Sequence, residues 1–229
     1  MDIYLDSADV SQWALPPGCP PVVGVTTNPS LVFQAGLRVN LDTYKGLVDA
    51  AGAQGMGQLM LQLPSADLAQ AQAWVGALQA RSPKAGVTLT VKLPCLAAWL
   101  PCIRAVQAMD QAVLLTGLSN PVQLLWAQSL GVDFVAPYVG RLAADTAHGG
   151  RDVWALMQAC VVAQNSAGAT SGPKLLAASI KSPDVLSRLM ALGAAAVTLP
   201  PASLVAWSQD AITDAAVAQF ERDTAASLA

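Results

Sequence analysis

The chain has 229 residues, of which 54% are hydrophobic and 12% charged, and its formal net charge is −3. The acidic balance and the lack of any basic cluster exclude a nucleic-acid-binding protein. No apolar run reaches the roughly 18 residues of a membrane span, and the N-terminus has no basic region typical of a secretory signal. We therefore expect a cytoplasmic protein with an aliphatic core, stable without disulfides or metal ions.

Eight apolar runs are typical of strands, and they lie over 2–6, 22–27, 57–63, 87–93, 112–118, 133–139, 174–179 and 196–200. Helical patterns separate most of them, over 41–52, 67–81, 97–109, 121–130, 151–164, 183–192 and 202–207. The first connection, 7–21, is unclear because of its Pro-Pro-Gly-Cys-Pro-Pro segment. A further polar helix is predicted over 210–229.

Strands that alternate with helices predict a parallel sheet. Eight is the strand count of a TIM barrel, whereas an open doubly wound sheet usually has fewer strands and often a glycine-rich phosphate turn, which this chain lacks. We therefore predict the α/β class, with one (β/α)8 TIM barrel domain over 1–229 and an additional C-terminal helix at 210–229. Because a closed barrel has no core position left for this helix, it is expected on the outside or on a neighbouring subunit.

The histidine and cysteine residues predict no site of their own. The four cysteines form no Cys-x-x-Cys pair, so neither a zinc site nor a redox motif is expected. His148 is the only histidine and lies in a glycine-containing loop, where a surface position is expected. Catalysis by histidine is therefore not predicted.

Lys92 is the most informative residue, because it lies near the end of the apolar strand predicted over 87–93. Strand alternation places Thr88, Thr90 and Lys92 on one face. Burial of an amine disfavours its charged form, and a neutral lysine is a nucleophile that can form a Schiff base with a carbonyl group. The alternative is a strand-end lysine whose amine reaches solvent.

Polar groups end seven of the eight predicted strands. These groups are Asp6, Thr26-Thr27-Asn28, Gln62, Lys92, Thr116, Tyr138 and Ser179. In a barrel, catalytic groups come from the C-terminal ends of the strands and the loops that follow. Seven polar ends on one rim outline a pocket, which favours the nucleophile interpretation of Lys92. Arg141 and Lys181 lie on the same rim, where they are suited to bind a phosphate with Ser179.

Several of these residues also have a structural interpretation. Turn formation is the alternative for Asp6, Thr26 and Asn28. Gln62 can be a buried amide with hydrogen-bond partners, and Tyr138 can be a core aromatic whose hydroxyl group is paired. Arg141 can be a solvated loop residue.

Five motifs, taken together and in order, closely resemble the transaldolase family, in particular its small-subunit branch, which includes fructose-6-phosphate aldolase. They are Tyr4-Leu5-Asp6, Gly24-Val25-Thr26-Thr27-Asn28-Pro29-Ser30-Leu31, Val91-Lys92-Leu93-Pro94, Ala136-Pro137-Tyr138-Val139-Gly140-Arg141 and Ala177-Ala178-Ser179-Ile180-Lys181. The resemblance implies class I aldol chemistry in a (β/α)8 barrel, with no metal or organic cofactor. It also implies a sugar or sugar-phosphate substrate and a homo-oligomer, either a pentamer or a decamer.

By resemblance, Lys92 forms the Schiff base, and Asp6 assists proton transfer and binds donor hydroxyl groups. Thr26 and Asn28 contact the donor ketose in members of this family. The resemblance therefore assigns one nucleophile, one carboxylate and two polar contacts to the donor end of the pocket.

Two positions bear on the branch. By resemblance, Gln62, Thr116 and Tyr138 surround the water or hydroxyl group that carries the proton. Transaldolases resemble one another in having Glu at the first position and Phe at the last, whereas fructose-6-phosphate aldolases have Gln and Tyr. A tyrosine hydroxyl can position a water that protonates the donor carbon. We therefore expect an aldolase. Transfer of dihydroxyacetone between sugar phosphates is the alternative, and a non-catalytic sugar-phosphate-binding barrel is a second alternative.

The chain departs from the family pattern in three places. Arg141 and Ser179 match the phosphate-binding positions, but Lys181 stands where many transaldolases have Arg, which removes bidentate geometry. The usual threonine and Glu-Gly pair are replaced within 95–101, and 117–120 lacks the usual aromatic residue. Because both loops are expected to border the pocket, a different acceptor preference is expected.

Overall fold

A closed barrel of eight parallel strands in chain order forms the centre of the molecule. The structure is a computed structural model that describes residues 1–147, 150–166 and 172–228. The strands are β1 Asp2–Asp6, β2 Gly24–Thr26, β3 Gln58–Gln62, β4 Thr88–Pro94, β5 Val113–Leu118, β6 Phe134–Pro137, β7 Lys174–Ala177 and β8 Ala196–Leu199. Because β1 pairs with both β2 and β8, the sheet has no free edge. The predicted TIM barrel is confirmed.

Helices lie around the barrel. Within the described ranges the α-helices are α1 Pro29–Gln34, α2 Leu41–Ala53, α3 Leu68–Gln79, α4 Leu100–Ala108, α5 Pro121–Leu130, α6 Val139–Ala144, α7 Val153–Gln164, α8 Pro183–Leu192, α9 Pro201–Trp207 and α10 Ala211–Ser227. The helix predicted over 97–109 begins as a 3₁₀ turn at Ala97–Trp99, because Pro101 is tolerated only in the first turn of α4. Among these helices, none combines the length and apolar character that a membrane crossing needs.

Two short helices, α1 and α6, were not predicted. At α1 the Asn28 side chain accepts hydrogen bonds from the backbone N–H groups of Ser30 and Leu31, with Pro29 at the first helical position. The helix α6 begins at Val139, so the strand predicted over 133–139 is two residues too long. Six residues are too few to show a helical period in sequence. Both helices begin on the rim of the barrel.

An apolar cluster fills the barrel below the rim, and we call it the barrel floor. It consists of Tyr4, Met60, Leu114, Ala136, Leu176 and Ala196, separate from the larger core between sheet and helices. Strand residues two positions apart share a face. The layer above the floor is therefore formed by Asp6, Gln62, Thr116, Tyr138, Ala178 and Thr198. Alternation thus places a mostly polar layer two residues above the floor on these six strands.

The C-terminal helix α10 has no buried side chain. Its apolar residues Ile212 and Phe220 are 82% and 65% exposed, and Val217 is also exposed. The helix predicted at 210–229 is therefore present, and it carries apolar side chains that this single chain leaves uncovered.

Candidate active site

A cavity of about 860 Å³ opens at the C-terminal ends of the strands, where TIM barrels bind their substrates. It is lined by nine of the ten predicted site residues, which are Asp6, Asn28, Gln62, Lys92, Thr116, Tyr138, Arg141, Ser179 and Lys181. The tenth, Thr26, is fully buried behind Asp6. The structure therefore brings the predicted residues together in one place.

Lys92 lies in the wall of this cavity with only 4% of its surface exposed. Its Nζ atom donates a hydrogen bond to the backbone carbonyl oxygen of Thr27 at 2.9 Å. Burial lowers the pKa of Lys92, and the negative charge of Asp6 opposes part of that shift. The net direction favours the neutral amine, which is the nucleophilic form.

Asp6 faces the cavity instead of capping the turn that follows it. Its Oδ1 atom accepts a hydrogen bond from the Thr26 hydroxyl group at 2.9 Å. The next turn, Val10–Gln12, is capped by Asp9, whose side chain accepts from the backbone N–H of Ser11. Because Asp9 takes the capping role, the Asp6 carboxylate is available beside Lys92.

Sequence reasoning missed one residue of the site, Thr198 on β8. It lines the cavity, is 1% exposed, and its Oγ1 atom lies 2.7 Å from that of Thr26. The sequence prediction treats β8 as the one strand without a polar end, although Thr198 lies two positions before the end of the strand predicted over 196–200, as Thr116 does in 112–118. The signal that would have found it is strand alternation, since Thr198 follows the floor residue Ala196 by two positions.

Tyr138 stands across the cavity from these groups and is coupled to two neighbours. Its hydroxyl oxygen accepts a hydrogen bond from the Thr116 hydroxyl group at 2.8 Å. The Arg141 guanidinium lies over the ring, with its central carbon 4.9 Å from the ring centroid. Since Thr116 supplies the proton of their shared hydrogen bond, the proton of Tyr138 is available to another acceptor.

The helix α6 and the loop after β7 form the cationic end of the cavity, with Arg141 and Lys181 both exposed there. The backbone N–H of Gly140 in α6 donates to the carbonyl oxygen of Ser179 at 2.9 Å, which joins the helix to this loop. Ser179 has a φ of 61°, a conformation uncommon for a residue with a side chain. The helix α6 and the loop after β7 therefore present two cations and a hydroxyl group on one side of the cavity mouth.

Asn28 and Gln62 line the opposite side of the cavity. The Asn28 carboxamide oxygen caps α1, so this residue does make the turn that the structural interpretation expected, and it reaches the cavity as well. Gln62 pairs with Lys92 between β3 and β4, and its backbone carbonyl accepts from the Tyr44 hydroxyl group at 2.7 Å. Both side chains are half-buried, which places amide groups beside the lysine.

The two loops that depart from the family pattern do not border the cavity, so that expectation is wrong. No residue of 95–101 or 117–120 contributes to its wall. Instead, Cys95 is buried, and its carbonyl oxygen accepts from the Gln123 side chain at 2.8 Å. The same side chain accepts from the backbone N–H of Asn120 at 3.2 Å. Gln123 thus ties both loops to the start of α5, and neither contributes to the cavity wall.

The described part of the chain shows no group of three histidine, cysteine, aspartate or glutamate side chains placed to hold a metal ion. His148 lies outside the described residues, so the expectation of a surface position for it is not addressed. The functional groups in the cavity wall include one buried amine, the carboxylates of Asp6 and Asp9, of which Asp9 caps its own turn, hydroxyl and amide groups, and two cations. That set is suited to acid–base and covalent chemistry on a carbonyl compound.

Solved structures share the barrel fold with this chain. A flavocytochrome b2 variant with sulfite bound matches with a TM-score of 0.60 and 14% identity, over 91% of this chain and 59% of that one. A mandelate oxidase variant with benzoyl-formic acid matches with a TM-score of 0.53 and 18% identity, over 88% and 60%. The chain therefore spans about three-fifths of these larger proteins. At such identities the likeness shows the fold alone.

Sequence relatives bear on the family of the chain as well as on its fold. A protein named "Probable transaldolase" from Paracoccus denitrificans (strain Pd 1222) is 26% identical, over 98% of this chain and 97% of its own length. A protein of the same name from Cereibacter sphaeroides (strain ATCC 17025 / ATH 2.4.3) is 28% identical, over 98% and 96%. The family model described as "Transaldolase/Fructose-6-phosphate aldolase" matches residues 68–229, which is more than half of the chain. The chain therefore belongs to the transaldolase/fructose-6-phosphate aldolase family.

Proposed function

We propose that this protein is a class I aldolase that reversibly cleaves fructose 6-phosphate, or a related ketose, through a Schiff base on Lys92. The observation that carries the proposal is the buried Lys92 amine in the wall of the cavity, with its pKa lowered by burial. A buried amine costs stability in a barrel that is otherwise apolar below the rim. A role in chemistry accounts for that cost, and the family supplies the reaction type.

The reaction follows from the groups around Lys92. The neutral amine adds to the ketose carbonyl carbon, and loss of water gives a protonated imine. This cation accepts the electron pair of the C3–C4 bond as a base removes the proton of the C4 hydroxyl group. For fructose 6-phosphate the aldehyde released is glyceraldehyde 3-phosphate, and an enamine remains on Lys92. Protonation of the enamine carbon and addition of water then release dihydroxyacetone and restore the amine.

We assign the proton transfer at the C4 hydroxyl group to Asp6. One of its carboxylate oxygens accepts from Thr26, and the side chain lines the cavity together with Lys92. Its negative charge already acts on the Lys92 amine, so it also balances the charge of the protonated imine. A carboxylate in this position serves as a base during cleavage and as an acid in the reverse direction.

The hydrogen bond between Thr116 and Tyr138 favours cleavage over transfer. Because Thr116 donates to the Tyr138 oxygen, Tyr138 can donate its own proton into the cavity, directly or through a water. A proton donor shortens the lifetime of the enamine, and its absence lets the enamine wait for a second aldehyde. Gln62 lines the same space and offers an amide that can orient the water. These contacts support the lyase.

A transaldolase that moves dihydroxyacetone between sugar phosphates is the second candidate. The names of the two relatives favour it, since both are called transaldolases. It would use the same Schiff base on Lys92 and would differ only in the fate of the enamine. The two candidates therefore share their first steps. They differ in whether the enamine is released as dihydroxyacetone or adds to a second aldehyde.

One experiment distinguishes these functions. The protein is incubated with fructose 6-phosphate and borohydride, and the adduct is mapped by peptide mass. An adduct on Lys92 together with free dihydroxyacetone, in the absence of added aldehyde, supports the lyase. An adduct on Lys92 without free dihydroxyacetone, together with a new ketose after addition of an acceptor aldehyde, supports the transaldolase. If no adduct forms on Lys92, both enzyme proposals fail and a sugar-phosphate-binding barrel remains.

The phosphate group is assigned to Arg141, Ser179 and Lys181, and Gly140 offers a test. A Cβ atom added at Gly140 would lie 2.3 Å from the Ser179 carbonyl oxygen, so α6 and the loop after β7 must move apart in Gly140→Ala. We expect KM for fructose 6-phosphate to rise about tenfold, the equivalent of about 1.4 kcal/mol of lost binding. The Lys92 adduct with unphosphorylated dihydroxyacetone should form as in the wild type.

Gly46→Ala is the matched control for that substitution, because Gly46 lies in α2 with open space around its Cβ position. Its KM should equal that of the wild type. Equal losses with the phosphorylated and unphosphorylated compounds in Gly140→Ala would contradict the assignment of the phosphate group.

A homo-oligomer is also part of the proposal, and the exposed apolar residues of α10 support it. We expect removal of 210–229 to lower the mass of the assembly measured by analytical ultracentrifugation. Serine in place of Ile212 and Phe220 should have the same effect with the helix retained, since exposed apolar area drives association. An unchanged mass for both variants would show that α10 is not part of the contact.

A further inference from the structure

We infer that Thr198 is a positioning residue for Asp6, acting through the hydroxyl group of Thr26. The inference rests on the proposed function, because it assigns Thr198 a part in the same aldol reaction. It is carried by a pair of short hydrogen bonds that link β8, β2 and β1, of 2.7 Å between the two threonines and 2.9 Å from Thr26 to Asp6.

The direction of this chain follows from counting protons. Thr26 has one hydroxyl proton, and it is donated to Oδ1 of Asp6. An ionised carboxylate has no proton to give, so that bond cannot be reversed. The contact between the two threonine oxygens therefore takes its proton from Thr198. Thr26 therefore accepts from Thr198 and donates to Asp6, and the series of hydrogen bonds ends on the carboxylate.

The fold explains why these three side chains meet. The strand β1 lies between β2 and β8, and its residues Asp6 and Tyr4 pair with Thr26 and Thr198, respectively. The two threonines lie on the strands on either side of β1, and their Oγ1 atoms meet at 2.7 Å. With exposures of 0% and 1%, neither hydroxyl group has ready access to solvent. Thr198 therefore uses Thr26 as its acceptor, and Thr26 in turn donates to Asp6.

This arrangement fixes both the position and the hydrogen-bonding state of Asp6. With Oδ1 occupied by Thr26, the remaining capacity of the carboxylate is directed to the cavity, where the Lys92 amine lies. A donor behind Thr26 strengthens its bond to the carboxylate, because hydrogen bonds in series polarise one another. Without the Thr198 hydroxyl, Thr26 loses the donor that holds its orientation. The rate of proton transfer by Asp6 should therefore fall, whereas the affinity for the substrate should not change.

The experiment begins with Thr198→Val, which keeps the shape of the side chain and removes the hydroxyl group. We expect kcat for fructose 6-phosphate cleavage to fall about tenfold with KM within about twofold, the size of effect expected for loss of a hydrogen bond that supports a charged group. Thr198→Ser should recover most of the lost kcat. If the valine variant does not fold, Thr198→Cys replaces it, with an intermediate loss expected because a thiol is a weak donor.

A double-mutant cycle shows whether Thr198 acts through the carboxylate. In an Asp6→Asn background, Thr198→Val should change kcat by less than about twofold, because the group that it positions is no longer a base. A tenfold loss in both backgrounds would overturn the inference, as would a serine variant no better than valine. Borohydride trapping on Lys92 reports the proposed function separately. Failure of the wild type to form that adduct would overturn the proposed function and this role of Thr198 together.

Discussion

Replacement of Lys92 by methionine is expected to abolish the borohydride-trapped adduct and to lower the rate of ketose cleavage by about a thousandfold or more. Methionine resembles the lysine stem in length but has no amine, so the cavity keeps its shape and loses only the nucleophile. The two readouts are the mass of the Lys92 peptide and the initial rate of dihydroxyacetone release. An adduct on another lysine, or a rate within tenfold of the wild type, would contradict the assignment.

The same variant should be more stable than the wild type near neutral pH. Burial lowers the folded-state pKa of Lys92 from its ordinary 10.5, so between these two values the unfolded chain binds more protons than the folded chain. The free energy of unfolding of the wild type therefore rises with pH across that window, and it is reduced at lower pH. Methionine at position 92 removes this pH dependence of the free energy of unfolding. Urea titrations of both proteins at two pH values measure the difference, and Lys84→Met, at an exposed position, is the matched control.

Replacement of Tyr138 by phenylalanine is expected to shift the balance from cleavage toward transfer. The ring and its contact with Arg141 are retained, while the proton that the hydroxyl group donates into the cavity is lost. Release of free dihydroxyacetone in the absence of an acceptor should fall by about a hundredfold, a typical contribution of a positioned acid or base. Transfer to an added sugar aldehyde should fall much less. Parallel assays with and without that aldehyde give the ratio of the two reactions.

Thr116→Val provides a graded comparison for the Tyr138 variant. It leaves the tyrosine proton in place but removes the donor that orients the phenol oxygen. A smaller shift from cleavage toward transfer is expected, because Tyr138 keeps its proton and loses only the hydrogen bond that orients its hydroxyl group. If both variants keep the wild-type ratio of release to transfer, the tyrosine hydroxyl group does not decide between the two reactions.

The strand number was predictable from sequence because each of the eight strands falls within a mainly apolar run, and helical patterns separate most of these runs. Most of the cavity wall was predictable for a related reason, since a polar residue at the end of an apolar strand is expected on the barrel rim, where the cavity lies. The position of Lys92 is the clearest case, with a costly amine on an apolar strand. What the sequence could not reveal was the partner of each polar group, because partners come from strands distant in the chain.

Thr198 and the two altered loops show where prediction failed. Threonine is common in strands, so Thr198 gave no sign of its partner Thr26, which lies 172 positions away. The loops after β4 and β5 were expected at the pocket because they follow Lys92 and Thr116 directly. Their actual course is set by Gln123, a single side chain that holds both of them. Neither result could be anticipated without the tertiary contacts.

The barrel floor has a consequence for the order of events in the proposed reaction. Because Tyr4, Met60 and the other floor residues close the barrel below Lys92, reactants enter and products leave through one opening. The fragment bound to the buried Lys92 lies deeper than a phosphate held by the exposed Arg141. The aldehyde half of the sugar thus stands between the enamine and bulk water. In the proposed reaction we therefore expect the aldehyde to leave before dihydroxyacetone, so that the barrel architecture imposes an ordered release of products.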